Sequence, residues 1–171
     1  IESWTSLLAR FPNAPEAEGA LYHIADTQFG LGRFDHAMAT YRRLQAQFPD
    51  GDHAADAAFG VANCAYNTGQ DDLAIQTFGA FIQANPDDPR IEDAELGIQS
   101  CYYRSGKDME EYLGTRPDSP LAADYYWTKG QNAFAEEKYE MAARYFEQVT
   151  LDYADSESAP GALFYLAESY Y

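Results

Sequence analysis

The stretch LGRFDHAMATYRRLQAQFPDGD, Leu31 to Asp52, orders a Gly, an aromatic, an Ala, a second aromatic, a Leu and a Pro. These spacings suit an amphipathic helix entered through a turn and closed by proline. Counted from the preceding helix, the places are Ala25, Gly32, Phe34, Ala37, Tyr41, Leu44 and Pro49. A shift of 37 residues gives Ala62, Gly69, Asp71, Ala74, Phe78, Phe81 and Pro86, which differs only in the aromatic after the turn. A further shift of 68 gives Gly130, Glu137, Tyr139, Ala142, Phe146, Val149 and Ala154, which keeps the helix pattern and loses the Gly and the Pro. Three agreeing registers make the stretch one copy of an internal repeat.

Close packing of two antiparallel helices explains the pattern. Small residues at Ala25, Ala37, Ala62, Ala74, Gly130 and Ala142 let backbones approach, and Tyr41, Phe78 and Phe146 fill the space beside them. Gly32 and Gly69 fit left-handed helix ends. Pro49 and Pro86 stop the second helix, and the following DGD and DDP are expected to cap the next one.

This pattern resembles the tetratricopeptide repeat, a helix-turn-helix unit, over nearly the whole chain. The resemblance implies an all-α protein, a right-handed α-solenoid of antiparallel helix pairs with roughly nine or ten helices and no sheet. Residues 1–171 are expected to form a single solenoid. Residues 1–15 read as the second helix of a truncated repeat, 16–52 and 53–89 as repeats, 90–120 as a shortened repeat, 121–158 as a repeat and 159–171 as a lone first helix. In the shortened repeat, KDMEEYLGTR leaves a second helix about six residues short of its counterparts, from which a notch or a change of curvature is expected.

The segments between repeats are distinctive: FPNAPEAEGALYHIA, NPDDPRIEDAELGI, RPDSPLAADYYWTKG and YADSESAPGALFYLAES. They resemble those of the bacterial cell-envelope tetratricopeptide proteins, such as the Tol-Pal system coordinator and the outer-membrane assembly lipoprotein BamD. The likeness implies a periplasmic or outer-membrane-tethered adaptor whose partners are other proteins or peptides, with a cytoplasmic location as the alternative. Ile1 reads as mid-helix, so the chain is expected to be a piece of a longer protein.

Composition agrees with a folded interaction module. Of 171 residues, 46% are hydrophobic and 15% aromatic, enough to bury a core. No stretch approaches the roughly 18 apolar residues of a spanning helix, so no membrane insertion is expected in this fragment. Acidic residues number 28 against 11 basic ones, a net charge of −17, and the only lysines are Lys107, Lys129 and Lys138. Nucleic acid, which needs clustered cations, is not an expected partner. An Asp-rich, Lys-poor surface is also what keeps a protein soluble at high salt. Lys129 stands where Ile24, Val61 and Ile98 occupy the matching place, and its stem is expected to pack while its ammonium reaches water.

Nothing in the sequence points to chemistry. His23, His36 and His53 fall at unrelated places in the repeat without ligand spacing and read as surface residues. Acid pairs such as Asp71 with Asp72 and Glu110 with Glu111 suit helix starts. There is no phosphate loop or nucleophile elbow. No catalytic residue, metal site or cofactor is expected, and the chain reads as a non-enzyme. Cys64 and Cys101 hold equivalent places on successive repeats, about 9–10 Å apart, beyond the roughly 7 Å a disulfide spans, and read as buried thiols.

The candidate site is aromatic. In this repeat family the first helices line the concave face. Two places on them, seven residues and about 10.5 Å apart, hold Tyr22 and Phe29, Phe59 and Tyr66, Leu96 and Tyr103, Trp127 and Phe134, and Phe164 and Tyr171. Asp26, Asn63, Ser100, Gln131 and Glu168 lie between them. With Asn63 and Gln131 among its polar contacts, this face is expected to form a groove for an extended peptide or an amphipathic helix, with Trp127 as the mid-trough anchor. The leading function is therefore a non-catalytic protein-interaction scaffold. The alternative is a structural or oligomerisation module that self-associates through its open ends, Trp4, Leu7, Leu8 and Phe11 at one and Leu163, Leu166 and Tyr170 at the other.

Overall fold

The computed structural model describes residues 2–11 and 14–171, with the side chains of Glu2, Ser3, Leu7 and Pro15 outside the description. Among the described residues there are ten helices and no strand: α1 Glu2–Arg10, α2 Pro15–Gly30, α3 Phe34–Gln47, α4 Ala54–Asn67, α5 Asp71–Ala84, α6 Ile91–Ser105, α7 Glu110–Thr115, α8 Ala122–Ala135, α9 Tyr139–Asp152 and α10 Ala159–Glu168. The chain forms two compact units, Ile1–Met109 and Glu110–Tyr171. In the first, each helix packs on the next from α1 to α6, and the first helices also touch, α2 with α4 and α4 with α6. In the second, α8 packs on α9, α9 on α10, and α8 on α10. This is the tetratricopeptide-like α-solenoid that the repeat implies.

The small residues of the repeat do what their size suggests. Ala25, Ala37, Ala62, Ala74 and Ala142 have no exposed surface, and Phe78, Phe81, Phe146, Leu44 and Val149 share the core almost fully buried. Closer still are two glycines in mid-helix. A Cβ on Gly60 would lie 2.6 Å from the Tyr41 ring, and one on Gly97 would lie 2.7 Å from the Phe78 ring. Each second-helix ring thus rests on the backbone of the next first helix.

The turn from the first helix of a pair to its second is the same each time. Gly32, Gly69 and Gly106 sit at φ of 70°, 71° and 69°. The following amides of Arg33, Gln70 and Lys107 donate back to the carbonyls of Gln28, Ala65 and Tyr102, closing the helix end in the Schellman manner. Glu137, in the copy that lost its Gly, adopts the same turn at φ 62°, with Lys138 N–H donating to Ala133 O at 2.9 Å.

Capping departs from the expected pattern in part. In DDP, the Asp88 carboxylate accepts the Arg90 N–H at 2.9 Å. In DGD neither Asp takes that part among the described contacts. Instead Glu18, reaching from α2, accepts the His53 N–H at 2.7 Å at the start of α4. A carboxylate from the preceding repeat is better placed than the loop's own. The short second helix is α7, six residues against fourteen in α3, α5 and α9, and the division between the two units falls at its start. Lys129 is half-buried, with its Nζ 5.3 Å from the centre of the Tyr125 ring.

Candidate protein-binding face

Helical periodicity sets Tyr22, Asp26 and Phe29 along one side of α2, Phe59, Asn63 and Tyr66 along α4, and Leu96, Ser100 and Tyr103 along α6. In the second unit, Trp127, Gln131 and Phe134 run along α8, and Phe164 lies on α10. Tyr171 does not continue this line. Helix α10 ends at Glu168, so the residue expected a further two turns along lies beyond the helix.

None of these side chains is fully buried. Tyr103 is 91% exposed, Phe164 60% and Leu96 45%. Tyr22, Phe29, Phe59, Tyr66, Trp127 and Phe134 are half-buried, each with a neighbour against one side. Phe29 meets Phe34 edge-on at 5.2 Å, and Asn63 turns its amide back to the Phe59 carbonyl at 3.1 Å. Trp127 is more a packing residue than a free anchor: it lies 5.5 Å from Phe146 and 5.7 Å from Tyr165, and covers Gly161. Neighbouring rings in α9 and α10 claim the surface that the isolated α8 pattern left open.

Three rings of the first unit, Tyr22, Phe59 and Tyr66, are covered by polar side chains of their own chain. His53 stacks on Tyr22, with centroids 4.3 Å apart and planes 3° from parallel. Its Nδ1 is 3.2 Å from Asp56 Oδ2. One repeat on, Arg90 takes the place of His53 and Phe59 the place of Tyr22. The Arg90 guanidinium lies 5.1 Å from Phe59 and 5.3 Å from Phe81, and donates to Asp56 at 2.8 Å and Asp88 at 2.7 Å. Arg104 covers Tyr66 at 4.7 Å and donates through Nε to Asp71 at 2.8 Å. Phe59 and Tyr66 are therefore each closed by an arginine that carboxylates hold, and Tyr22 by an imidazole beside Asp56.

Sequence reading missed this layer. The signal was the 37-residue spacing of His53 and Arg90, hidden because an imidazole and a guanidinium look unrelated. It also places His53 in a ring stack, not bare on the surface, while His23 is exposed beside Trp4 and His36 is exposed.

Electrostatics follow the carboxylates. Arg90's hydrogen bonds hold Asp88 down at about 2. The Tyr22 phenol is pushed up, first by burial, then by Asp56 and Asp26. Cys64 and Cys101 are fully buried free thiols, each raised by burial to about 11, far from the thiolate range of reactive cysteines. Among the described residues, no group of three or more His, Cys, Asp or Glu side chains is arranged to hold a metal. No helix among them is long and apolar enough to cross a membrane.

No curated protein matches the chain. A family model does, the one described as YfiO, outer membrane lipoprotein, over residues 5–103, more than half of the sequence. The matched stretch runs from α1 to α6, the helices that carry the capped rings. With its helix pairs and repeat, the chain belongs to the YfiO family of outer membrane lipoproteins, non-catalytic tetratricopeptide-type scaffolds for protein interaction in the bacterial envelope.

Proposed function

We propose that this scaffold takes its partner, an extended peptide or an amphipathic helix, on the aromatic side of its first helices. The supporting observation is that Tyr22, Phe29, Phe59, Tyr66, Trp127 and Phe134 are half-buried, each wedged on one side and open on the other. Such a ring is held in place before binding, so little ordering is needed when a ligand covers it. In the first unit Tyr103 and Leu96 are the most exposed apolar side chains of this face and Asn63 lies between rings; in the second, Phe164 is exposed and Gln131 lies between Trp127 and Phe134.

Site-specific photo-cross-linking in bacterial envelopes tests this. A cross-linker at position 103 or 164 is expected to capture a protein partner, and one at Leu151, 71% exposed on the second helix α9, is expected to capture none. Capture of a second copy of the chain from position 163 or 170, with silence at 103 and 164, would replace the groove by self-association through the end.

A further inference from the structure

We propose that the segment lying on this face is basic and sets an arginine guanidinium against the ring of Tyr103, as Arg104 covers Tyr66 one repeat earlier. The inference rests on reading the face as a peptide-binding surface. Tyr66 and Tyr103 are equivalent residues, 37 apart. The first is closed by a guanidinium at 4.7 Å, and the second is 91% exposed. Phe59 repeats the arrangement, closed by Arg90 at 5.1 Å. A guanidinium over a ring is thus the contact this surface already uses, and Tyr103 is a ring that lacks it.

Charge points the same way. Arg90, Arg104 and Lys107 are committed to Asp56 and Asp88, to Asp71 and to Asp72. Asp26 lies between Tyr22 and Phe29, and Asp93 lies one turn before Leu96. Both are exposed, and neither is in a salt bridge among the described residues. With a net charge of −17, the chain repels an acidic ligand and attracts a basic one. Leu96, 45% exposed and seven residues before Tyr103 on the same side of α6, supplies the apolar contact beside the ring.

The test titrates the chain with three fluorescent amphipathic peptides that share one leucine stripe and differ in carrying arginine, lysine or glutamine on the polar side. The arginine peptide is expected to bind about tenfold more tightly than the glutamine peptide and a few-fold more tightly than the lysine one, since ammonium stacks less well on a ring. Tyr103→Ala should weaken the arginine peptide about fivefold and remove its advantage over lysine, with helical circular dichroism unchanged. Asp93→Asn should weaken binding and flatten its salt dependence, and Leu151→Ala should do neither. Equal binding of arginine and glutamine peptides overturns the inference and leaves the peptide-binding face standing. Equal arginine and lysine binding, insensitive to Tyr103→Ala, also overturns it, because charge alone would then explain the attraction. Failure of all three peptides to bind removes both the inference and the reading beneath it.

Discussion

The two units fill one place in the repeat differently. At the seventh residue of the first helix, the unit Ile1–Met109 has Gly60 in α4 and Gly97 in α6, and the rings of Tyr41 and Phe78 rest on bare backbone. At the same place in α10, the unit Glu110–Tyr171 has Tyr165, and Phe146 stacks on that ring with centroids 5.6 Å apart. Room for the extra ring comes from Gly130, where a Cβ would lie 2.5 Å from Phe146, and from Gly161, which lies under Trp127. Tyr165 also touches Trp127, Phe134 and Phe164, so the second unit centres a cluster of rings on this place, where the first has glycine under Tyr41 and Phe78 and, among the described residues, only Phe59 beside the Phe78 ring. One repeat geometry can be kept by close backbones or by filled space, and each choice fails differently when mutated.

The first unit breaks most severely at Phe78. Its ring is 1% exposed, so Phe78→Ala should cost about 3–5 kcal/mol in chemical denaturation. Gly97→Ala should cost about 1–3 kcal/mol alone, because the new methyl overlaps the ring. In a Phe78→Ala background the same change should be neutral or stabilising by up to about 1 kcal/mol, since the space is vacant and Ala is the better helix former. Simple additivity in this double-mutant cycle would disprove the ring-on-glycine account.

Tyr165→Ala is expected to cost about 2–3 kcal/mol, less than a fully buried ring because Tyr165 is half-exposed. Its distinguishing mark is coupling to Trp127: the loss should be smaller once Trp127 has been truncated. Trp127 fluorescence, read in a Trp4→Phe background, follows this unit alone. No spectral shift on removing Tyr165 would argue against a shared cluster.

The packed half of this comparison was legible in the sequence only where small and large residues repeat in register. Ala25, Ala62 and Gly130 announced close helices through the 37- and 68-residue shifts. Gly60 and Gly97 did not, because each serves a ring nineteen residues earlier, in the preceding repeat, and a mid-helix glycine by itself reads as a weak helix former. Periodicity likewise found the stripe of rings but not what lies on them. Whether Tyr66 is covered and Tyr103 bare depends on where Arg104 turns, which Asp71 decides from another helix. The end of α10 before Tyr171 was hidden for a related reason, since a pattern of spacing carries no stop signal.

A second difference is electrostatic. The places of His53 and Arg90 at the starts of α4 and α6 are taken in the second unit by Leu121 and Ser158, before α8 and α10. The closure of a ring by Arg90 and its carboxylates therefore has no counterpart at that position in the second unit. Arg90→Gln should cost it about 1–2 kcal/mol at neutral pH, charge-assisted hydrogen bonds discounted for partial exposure. Asp88 is depressed in the folded state from 3.8 to about 2. Its contribution is present above pH 3.8 and lost as pH falls through about 2. The variant's stability deficit should thus shrink between about pH 4 and 2 when followed by Trp4 fluorescence. A deficit that stays constant through that window would leave the ring contacts as the whole of Arg90's effect.

The smallest expected effect concerns the turns. Gly32, Gly69 and Gly106 take the left-handed turn of the first unit at no steric cost, while Glu137 takes it in the second with a Cβ that opposes it. The backbone bonds that close the turn are the same in both, Gln70 to Ala65 and Lys138 to Ala133, each at 2.9 Å. The Glu137 side chain is exposed, and replacing it disturbs no buried contact. Glu137→Gly should therefore raise the stability of the second unit by about 1 kcal/mol, the relief of strain outweighing the extra freedom of the unfolded glycine. Gly69→Ala should lower that of the first by about 1–2 kcal/mol, because φ at 71° admits no side chain without strain and nothing else near the site changes. Opposite signs at the two equivalent turns, read by Trp127 and Trp4 in turn, would tie the difference to backbone conformation; a loss at both would mean that Glu137 contributes through its charge and that its turn is not strained.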